Sequence, residues 1–284
     1  MSSSKSNELL HFPSIIGFSD SDLKKIIESI DGLYNEWEII KQDKNTGLPA
    51  TYKDGTIKKR FIRPSKPKLE ELQIRIKSRV LEKIELPKNI HGGRKKKSNI
   101  TNAKEHQGKK YVLTTDLKEF FPSVKPALIH QAFLDLNFNK QFAYYIMRFV
   151  TWKGELPQGT PTSTHIANIV FLKTDYLLIK LCEENDITYT RFVDDLTFSS
   201  QKDFQHLVAE ILKIVTDSGF KLSYRKTFYK GKQTITGIQV FNNKIDASEK
   251  VIEKVEAEKL LSDDSPKHLT MYRKRILETN RKSK

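Results

Sequence analysis

The residue pattern predicts an α+β fold, an antiparallel sheet with helices packed on one of its faces. Two observations carry this. Residues 110–240 mix strand-like and helical runs without the regular strand–helix–strand alternation of a doubly wound parallel sheet. Residues 187–200 read as a β-hairpin with Asp194-Asp195 at its turn, and tight hairpins join antiparallel strands. There is no internal repeat.

The elements follow in order. After a polar leader, Leu23, Ile26, Ile27, Ile30 and Leu33 keep helical spacing, with Ser19 or Asp20 as the cap. The turn Lys53-Asp54-Gly55 predicts a hairpin across residues 51–62. Leu72, Ile76, Val80 and Ile84 line one face of a helix that begins near Leu69 and stops before Pro87. A strand is expected over 110–117, then two helices over 125–152, broken near Asn137-Phe138-Asn139. The stretch 156–161 is a loop, and a long helix capped by Ser163 or Thr164 runs on to Glu184. A helix over 203–218 closes on Gly219, and strands follow near 220–223 and 233–240. From Ser248 the tail is helical and charged, with its end from Asn280 frayed.

Composition narrows the partners. A net charge of +15 calls for a polyanion, and phosphate backbones are the commonest one. A membrane-surface role would need an amphipathic helix or a lipidation signal, and none is evident. The first ten residues lack the apolar core of a secretory signal, and no run reaches the ~18 apolar residues of a membrane span. These features point to the cytosol. Cys182 is the only cysteine and lies in an apolar helical stretch, so a packed thiol is expected rather than a disulfide or a zinc ligand. Residues 90–108 hold Gly92-Gly93-Arg94-Lys95-Lys96-Lys97 and Asn102-Ala103-Lys104-Glu105-His106. This segment reads either as a phosphate-contact loop or as a solvated charge run.

Three carboxylates stand out by their apolar flanks. Asp116 ends the strand that carries Tyr111-Val112-Leu113, and Asp194 and Asp195 interrupt the apolar hairpin. Taken singly, each reads as a turn or a cap. Taken together at strand ends, they would repel one another unless a hard divalent cation such as magnesium neutralised them. Two such ions can clamp an in-line displacement at phosphorus, one activating a 3′-hydroxyl and the other steadying the triphosphate.

Further motifs in order give the set its meaning. Thr115-Asp116-Leu117-Lys118-Glu119-Phe120-Phe121-Pro122-Ser123 precedes Leu156-Pro157-Gln158-Gly159-Thr160-Pro161-Thr162-Ser163, and Phe192-Val193-Asp194-Asp195 follows. Over residues 56–240 the chain resembles a bacterial reverse transcriptase of the retron type. The resemblance implies a right-hand polymerase architecture with fingers, palm and a short helical thumb. Residues 1–50 would be an N-terminal helical extension, 51–109 and 125–165 fingers, 110–124 and 166–244 palm, and 245–284 the thumb and basic tail.

It also implies roles. Asp116, Asp194 and Asp195 would be the catalytic metal ligands, with the Leu117 carbonyl as a further ligand, for two magnesium ions or manganese in their place. Phe121 would sit under the incoming sugar and reject a ribose 2′-hydroxyl; strand alternation would send only one of Phe120 and Phe121 toward the cleft. Gln158 and Gly159 would line the nucleotide site, and Arg60 and Lys226 would meet the triphosphate. Asn102 to His106 matches the retron Asn-Ala-x-x-His element, and Ile235-Thr236-Gly237 its Val-Thr-Gly element with Ile for Val. These implicate Asn102, His106, Arg94, Thr236 and Gly237 in RNA binding. Phe192 and Val193 depart from the Tyr and Ala usual in retrons, and the ~44 residues beyond Val240 are short for a thumb.

The implied partners are a structured noncoding RNA serving as template and primer scaffold, deoxynucleoside triphosphates, the DNA product and an accessory effector in anti-phage defence. Two other readings stay open: a defence reverse transcriptase with weakly templated synthesis, and a non-catalytic RNA-binding protein on the same scaffold.

Overall fold

The computed structural model describes residues 7, 10–43, 46–52, 54–230, 234–260 and 267–280. Expectations that fall on Lys53, Gln233, the start of the leader and residues 281–284 lie outside the described residues. The chain divides into two compact units, one of Met1–Glu85 with Phe121–Val170 and the other of Leu86–Phe120 with Phe171–Lys284.

The first unit is helical, with one small ribbon. Ser19 accepts a hydrogen bond from the Asp22 amide and caps Asp20–Glu28, which buries Leu23 and Ile26. The helix ends sooner than its apolar spacing suggested, and Ile30–Leu33 continues as a tighter 3-10 turn. Pro67–Arg79 buries Leu69, Leu72 and Ile76 at the predicted spacing. Its Arg75 and Arg79 guanidinium groups donate to carbonyls at the end of Phe12–Ile16, groups that would otherwise be unmet. The helices Pro126–Asp135 and Lys140–Val150 break at Asn139, whose side chain caps the second through the Phe142 amide at 2.8 Å.

Aromatic rings fill the centre of this unit. Phe12 meets Phe142 edge-on at 5.1 Å and lies over Phe149 at 5.8 Å, both fully buried. The ribbon differs from the predicted 51–62 hairpin. Trp37–Ile40 pairs with Lys59–Ile62, and near the tip Thr51 is bridged to Ile57 and Tyr52 donates its amide to the Thr56 carbonyl at 2.8 Å.

The second unit holds a four-stranded antiparallel sheet ordered Thr188–Phe192, Asp195–Ser200, Tyr111–Asp116, Phe228–Lys230. The hairpin and central strand match expectation. The edge strand does not: only Leu222 of residues 220–223 pairs, in a single bridge to Leu117, and the ladder resumes at Phe228. One face of this sheet carries Tyr189, Arg191, Leu196 and Phe198 and meets the long helix Ser163–Glu184. Val215 and Ile211 of Val208–Asp217 are also buried.

The opposite face is covered as well. Val112 packs with Ala103, Ile235, Ile238, Val240, Ile245, Ala247 and Ile276. These come from the helix Asn99–Lys104, the C-terminal helix His268–Glu278 and a second sheet ordered Thr234–Ile235, Ile238–Val240, Ile245–Ala247. Burial on both faces explains why Asp195–Ser200 lacks the simple in–out alternation of a half-exposed strand.

Phe149→Ala would empty the centre of the aromatic cluster. It should lower the free energy of unfolding by about 3–5 kcal/mol in urea titration. A loss under about 1 kcal/mol would mean that the cluster is not the core of its unit.

Candidate active site

The site grows from one cross-strand pair. The antiparallel register of Tyr111–Asp116 with Asp195–Ser200 sets Asp116 directly opposite Asp195. Residues so opposed share a face, with Cβ atoms about 4.5–5.5 Å apart, so two carboxylates meet at the end of the sheet. Leu117 donates its amide to the Asp194 carbonyl at 2.9 Å, which ties the hairpin turn to the chain just past Asp116. The sequence-predicted metal set, Asp116, Leu117, Asp194 and Asp195, is thus gathered at one end of one sheet.

Asp116 is only 8% exposed, and the Lys226 ammonium lies 2.7 Å from its Oδ1. That cation offsets part of the repulsion between the facing carboxylates. Lys226 comes from the 3-10 turn Tyr224–Lys226, held in place where Ser223 donates its amide to the Asp116 carbonyl at 2.7 Å.

Among the described residues, no three His, Cys, Asp or Glu side chains form a ready-made metal cage. Magnesium does not require one, because it binds through one or two carboxylates and fills its shell with water and substrate phosphates. The all-oxygen donors at the end of this sheet fit that demand.

The turn that carries Asp194 is strained and clamped. Val193 has φ +59°, at the first of two loop residues where such hairpins ordinarily place glycine. A β-branched residue there costs about 1–3 kcal/mol. Two contacts hold it. The Arg191 guanidinium donates to the Val193 carbonyl at 2.9 Å. On the other side, Gly92 lies so close that a Cβ would overlap the Val193 amide and stand 2.5 Å from its Cγ2. Backbone bonds from His91 to the Arg191 carbonyl and from Arg191 to the Asn89 carbonyl lay this loop along the hairpin.

Arg191 is itself fully buried. Its Nε and Nη2 bind the two oxygens of Asp175 at 2.9 and 2.6 Å, and Tyr189 donates its hydroxyl to the same carboxylate at 2.7 Å. Burial pulls the Arg191 pKa down, but the Asp175 charge outweighs it and leaves the guanidinium more firmly protonated than usual. Burial, reinforced by Asp175, pushes the Tyr189 phenol well above its ordinary range. Sequence reading passed over Asp175, Tyr189 and Arg191. The available signal was Asp175 within the apolar run 166–178 and Arg191 within 187–193.

In the first unit, Arg60 is exposed on its strand opposite Ile39. Gln158 is half-buried and accepts the Arg63 amide at 2.6 Å through its carbonyl. Gly159 has φ +103°, and a Cβ there would come 2.9 Å from Ile62 Cγ2, so this loop needs glycine for both conformation and room. Arg63 also binds Glu36 and Glu155, tying the loop to the ribbon. Phe121 is half-buried, whereas Phe120 packs against Phe171 and Phe220. The two part company as expected, but because Phe120–Ser123 is a helical turn, not because of strand alternation.

The residues expected at RNA are placed differently. His106 is fully buried, with Nδ1 2.7 Å from Ser199 Oγ and Nε2 2.7 Å from Thr190 Oγ1. Both ring nitrogens are thus spent on the two hairpin strands, and the ring is not available to RNA. Asn102 is fully buried too, and its side-chain carboxamide has no hydrogen-bond partner among the described residues. Arg94 turns inward to the Pro87 and Ile90 carbonyls.

Thr236 and Gly237, with φ +46° and +83°, form the tip of the small hairpin. Asn99 Nδ2 donates to the Thr236 carbonyl at 3.3 Å and to the Tyr272 hydroxyl at 2.6 Å. Ala103 and Ile235, one from each retron-like element, lie in the same apolar cluster, and of the five residues expected at RNA Gly237 alone is exposed. Cys182 is buried as expected, with its thiol pushed up to about 12 by burial.

Burial holds His106 down to about 3, so it is neutral in the fold but protonates near 6.5 when unfolded. A depressed histidine pKa gives stability that is complete above 6.5 and is lost as pH falls toward 3. Between pH 7 and 5, wild type should therefore lose about 2 kcal/mol more stability than His106→Asn. Parallel pH–stability curves for the two proteins would refute the buried neutral imidazole.

Residues 53–240 match the family model "Reverse transcriptase (RNA-dependent DNA polymerase)". The Retron Se72 reverse transcriptase of Salmonella heidelberg is 28% identical over 223 residues, covering 78% of this chain and 55% of that protein. The Retron Ec86 reverse transcriptase of Escherichia coli is 26% identical over 228 residues, covering 78% of this chain and 68% of its own. The Retron Mx162 reverse transcriptase of Myxococcus xanthus is 32% identical over 221 residues, covering 66% and 45%. The chain thus spans roughly half to two thirds of the length of these relatives. A foamy viral protease–reverse transcriptase, solved with double-stranded DNA, overlaps 87% of this chain and 37% of its own at TM-score 0.41 and 17% identity. No described helix is long and apolar enough to cross a membrane. The chain belongs to the reverse transcriptase family, and its curated relatives within it are retron enzymes.

Proposed function

We propose that the chain is an RNA-directed DNA polymerase of the retron type, extending a primer end with deoxynucleotides. The observation that carries the proposal is the Asp116–Asp195 pair at the end of the sheet, with the Asp194 turn bound to Leu117. Facing carboxylates are unfavourable in a structural role, and the sheet keeps them.

Magnesium held by Asp116, Asp194 and Asp195 would supply activation of the primer 3′-hydroxyl and neutralisation of the departing pyrophosphate. The chain's own residues do the rest. The strand ladder fixes Asp116 and Asp195 before substrate arrives, so no reorganisation of the sheet is needed. Lys226, whose side chain is 59% exposed, can exchange its hold on Asp116 for a triphosphate oxygen. In the first unit Gly159 permits close backbone approach, Gln158 offers its amide, and Arg60 offers an exposed guanidinium for phosphate. Phe121 is the proposed sugar gate, since an aromatic ring under the sugar would clash with a 2′-hydroxyl.

The retron character of the relatives extends the proposal to partners. A structured noncoding RNA would serve as template and priming scaffold, and an accessory effector would act with the enzyme in the bacterial cytoplasm against phage. The net charge of +15 suits the RNA and DNA partners.

Purified chain with magnesium, a primed RNA template and deoxynucleotides should make DNA, and sequencing of copurified nucleic acid should find structured RNA joined to short single-stranded DNA. Asp194→Asn should lower synthesis by about a hundred- to a thousandfold, on the scale of a lost electrostatic catalytic group, with an unchanged melting curve. Synthesis retained in that variant would remove Asp194 from the metal site. Phe121→Ala should raise ribonucleotide incorporation relative to deoxynucleotide. Equal discrimination in both proteins would remove Phe121 as the gate.

A further inference from the structure

We infer that Arg191, anchored by Asp175, is a positioning residue that holds the Val193-Asp194 turn in the shape that metal binding needs. The inference deepens the proposed function and rests on its metal site.

The argument is geometric. A hairpin turn with Val193 at φ +59° is not the conformation this residue adopts by itself, so something must hold it. The Arg191 guanidinium is planar and can bind three acceptors in one fixed arrangement. Here two of its nitrogens are spent on both oxygens of Asp175, and the third reaches the Val193 carbonyl at 2.9 Å. Asp175 sits on the helix Ser163–Glu184, the largest rigid element packed against this sheet. The Phe171 ring, from the same helix, lies 4.8 Å from the guanidinium carbon. The turn is thus referenced to the helix, and the next residue along is Asp194.

Gly92 closes the other side. Its backbone abuts the Val193 amide, so the turn is pinned between a guanidinium on its carbonyl and a glycine on its nitrogen. Loosening either side lets Val193 relax to a negative φ, which would rotate the Asp194 carboxylate away from Asp116 and Asp195. Lysine at position 191 could still neutralise Asp175. Its single ammonium could not grip both carboxylate oxygens and the Val193 carbonyl at once.

The test measures metal binding without turnover. Mn2+ titrated into the full chain, followed by electron paramagnetic resonance, should bind Arg191→Lys about tenfold more weakly than wild type, the scale of a lost supporting contact behind a metal ligand. Val112→Ala loosens the opposite face of the same sheet, where Val112 packs with Ile235 and Ile238, away from the clamp. It should lower the melting temperature while leaving Mn2+ affinity within about twofold. A folded Arg191→Lys that binds Mn2+ like wild type overturns the inference. So does a Val112→Ala protein whose affinity falls as far as that of Arg191→Lys, since any loosening of the sheet would then suffice.

Hydrogen exchange on the unaltered protein decides the matter if Arg191→Lys does not fold. A peptide spanning residues 191–196 should exchange as slowly as the central strand, and fast exchange confined to it overturns the clamp. Wild type that binds Mn2+ but makes no DNA overturns the proposed function and leaves the clamp standing. Wild type that binds no Mn2+ overturns the metal site, and the exchange measurement then decides the clamp alone.

Discussion

The antiparallel ladder between Tyr111–Asp116 and Asp195–Ser200 forces Asp116 and Asp195 to face each other, and much of the second unit answers that constraint. Two carboxylates on opposed strand residues repel, and register offers no relief, because a slip by one residue would turn every buried side chain to the wrong face. The sheet therefore accepts a local electrostatic cost at its end and recovers stability along its length. Leu113, Leu196 and Phe198 are buried on one face, and Val112 joins the apolar cluster on the other. Lys226 provides a local counter-charge at the exposed end. A bound cation would relieve the repulsion that a sheet too well packed to shift cannot.

What was legible in the sequence followed from periodicity and from turn chemistry. The helices Pro67–Arg79 and Ser163–Glu184 announce themselves because each buries a continuous face against neighbours, and the breaker at Asn139 marks itself by its capping side chain. The hairpin 187–200 is equally clear. Less legible was the small sheet that ends in Ile245–Ala247, whose strands are two or three residues long. Periodicity needs more residues than that to speak. The displaced edge strand at Phe228–Lys230 has the same cause, since one bridge at Leu222 and a 3-10 turn precede it.

The three aspartates proposed as metal ligands stood out for a different reason: acids among apolar neighbours are costly. The supporting shell follows the same logic, yet Asp175 and Arg191 escaped notice because they lie 16 residues apart on different elements. Their meaning depends on a pairing that only the fold supplies. His106 shows the converse. A histidine in a basic, glycine-containing segment invites a nucleic-acid reading, whereas the fold places it between Thr190 and Ser199 on the inner face of the hairpin. Composition reports the character of a segment on average. It does not report which member of the segment turns inward.

The segment 86–109, expected with the fingers, lies in the second unit for this reason. Gly92 presses on the turn, His91 and Asn89 bond to the Arg191 backbone, and His106 joins the two strands from the other face. A glycine chosen for close approach and a histidine kept neutral by burial are both features of a scaffold. The lysines between them, Lys95 and Lys96, remain exposed. One short segment thus divides its residues by direction: the inward ones brace the hairpin that bears Asp194, and the outward ones carry charge to solvent. Bracing and charge are not alternatives there, because the loop can present its lysines in a defined place only if its other side is fixed to something rigid.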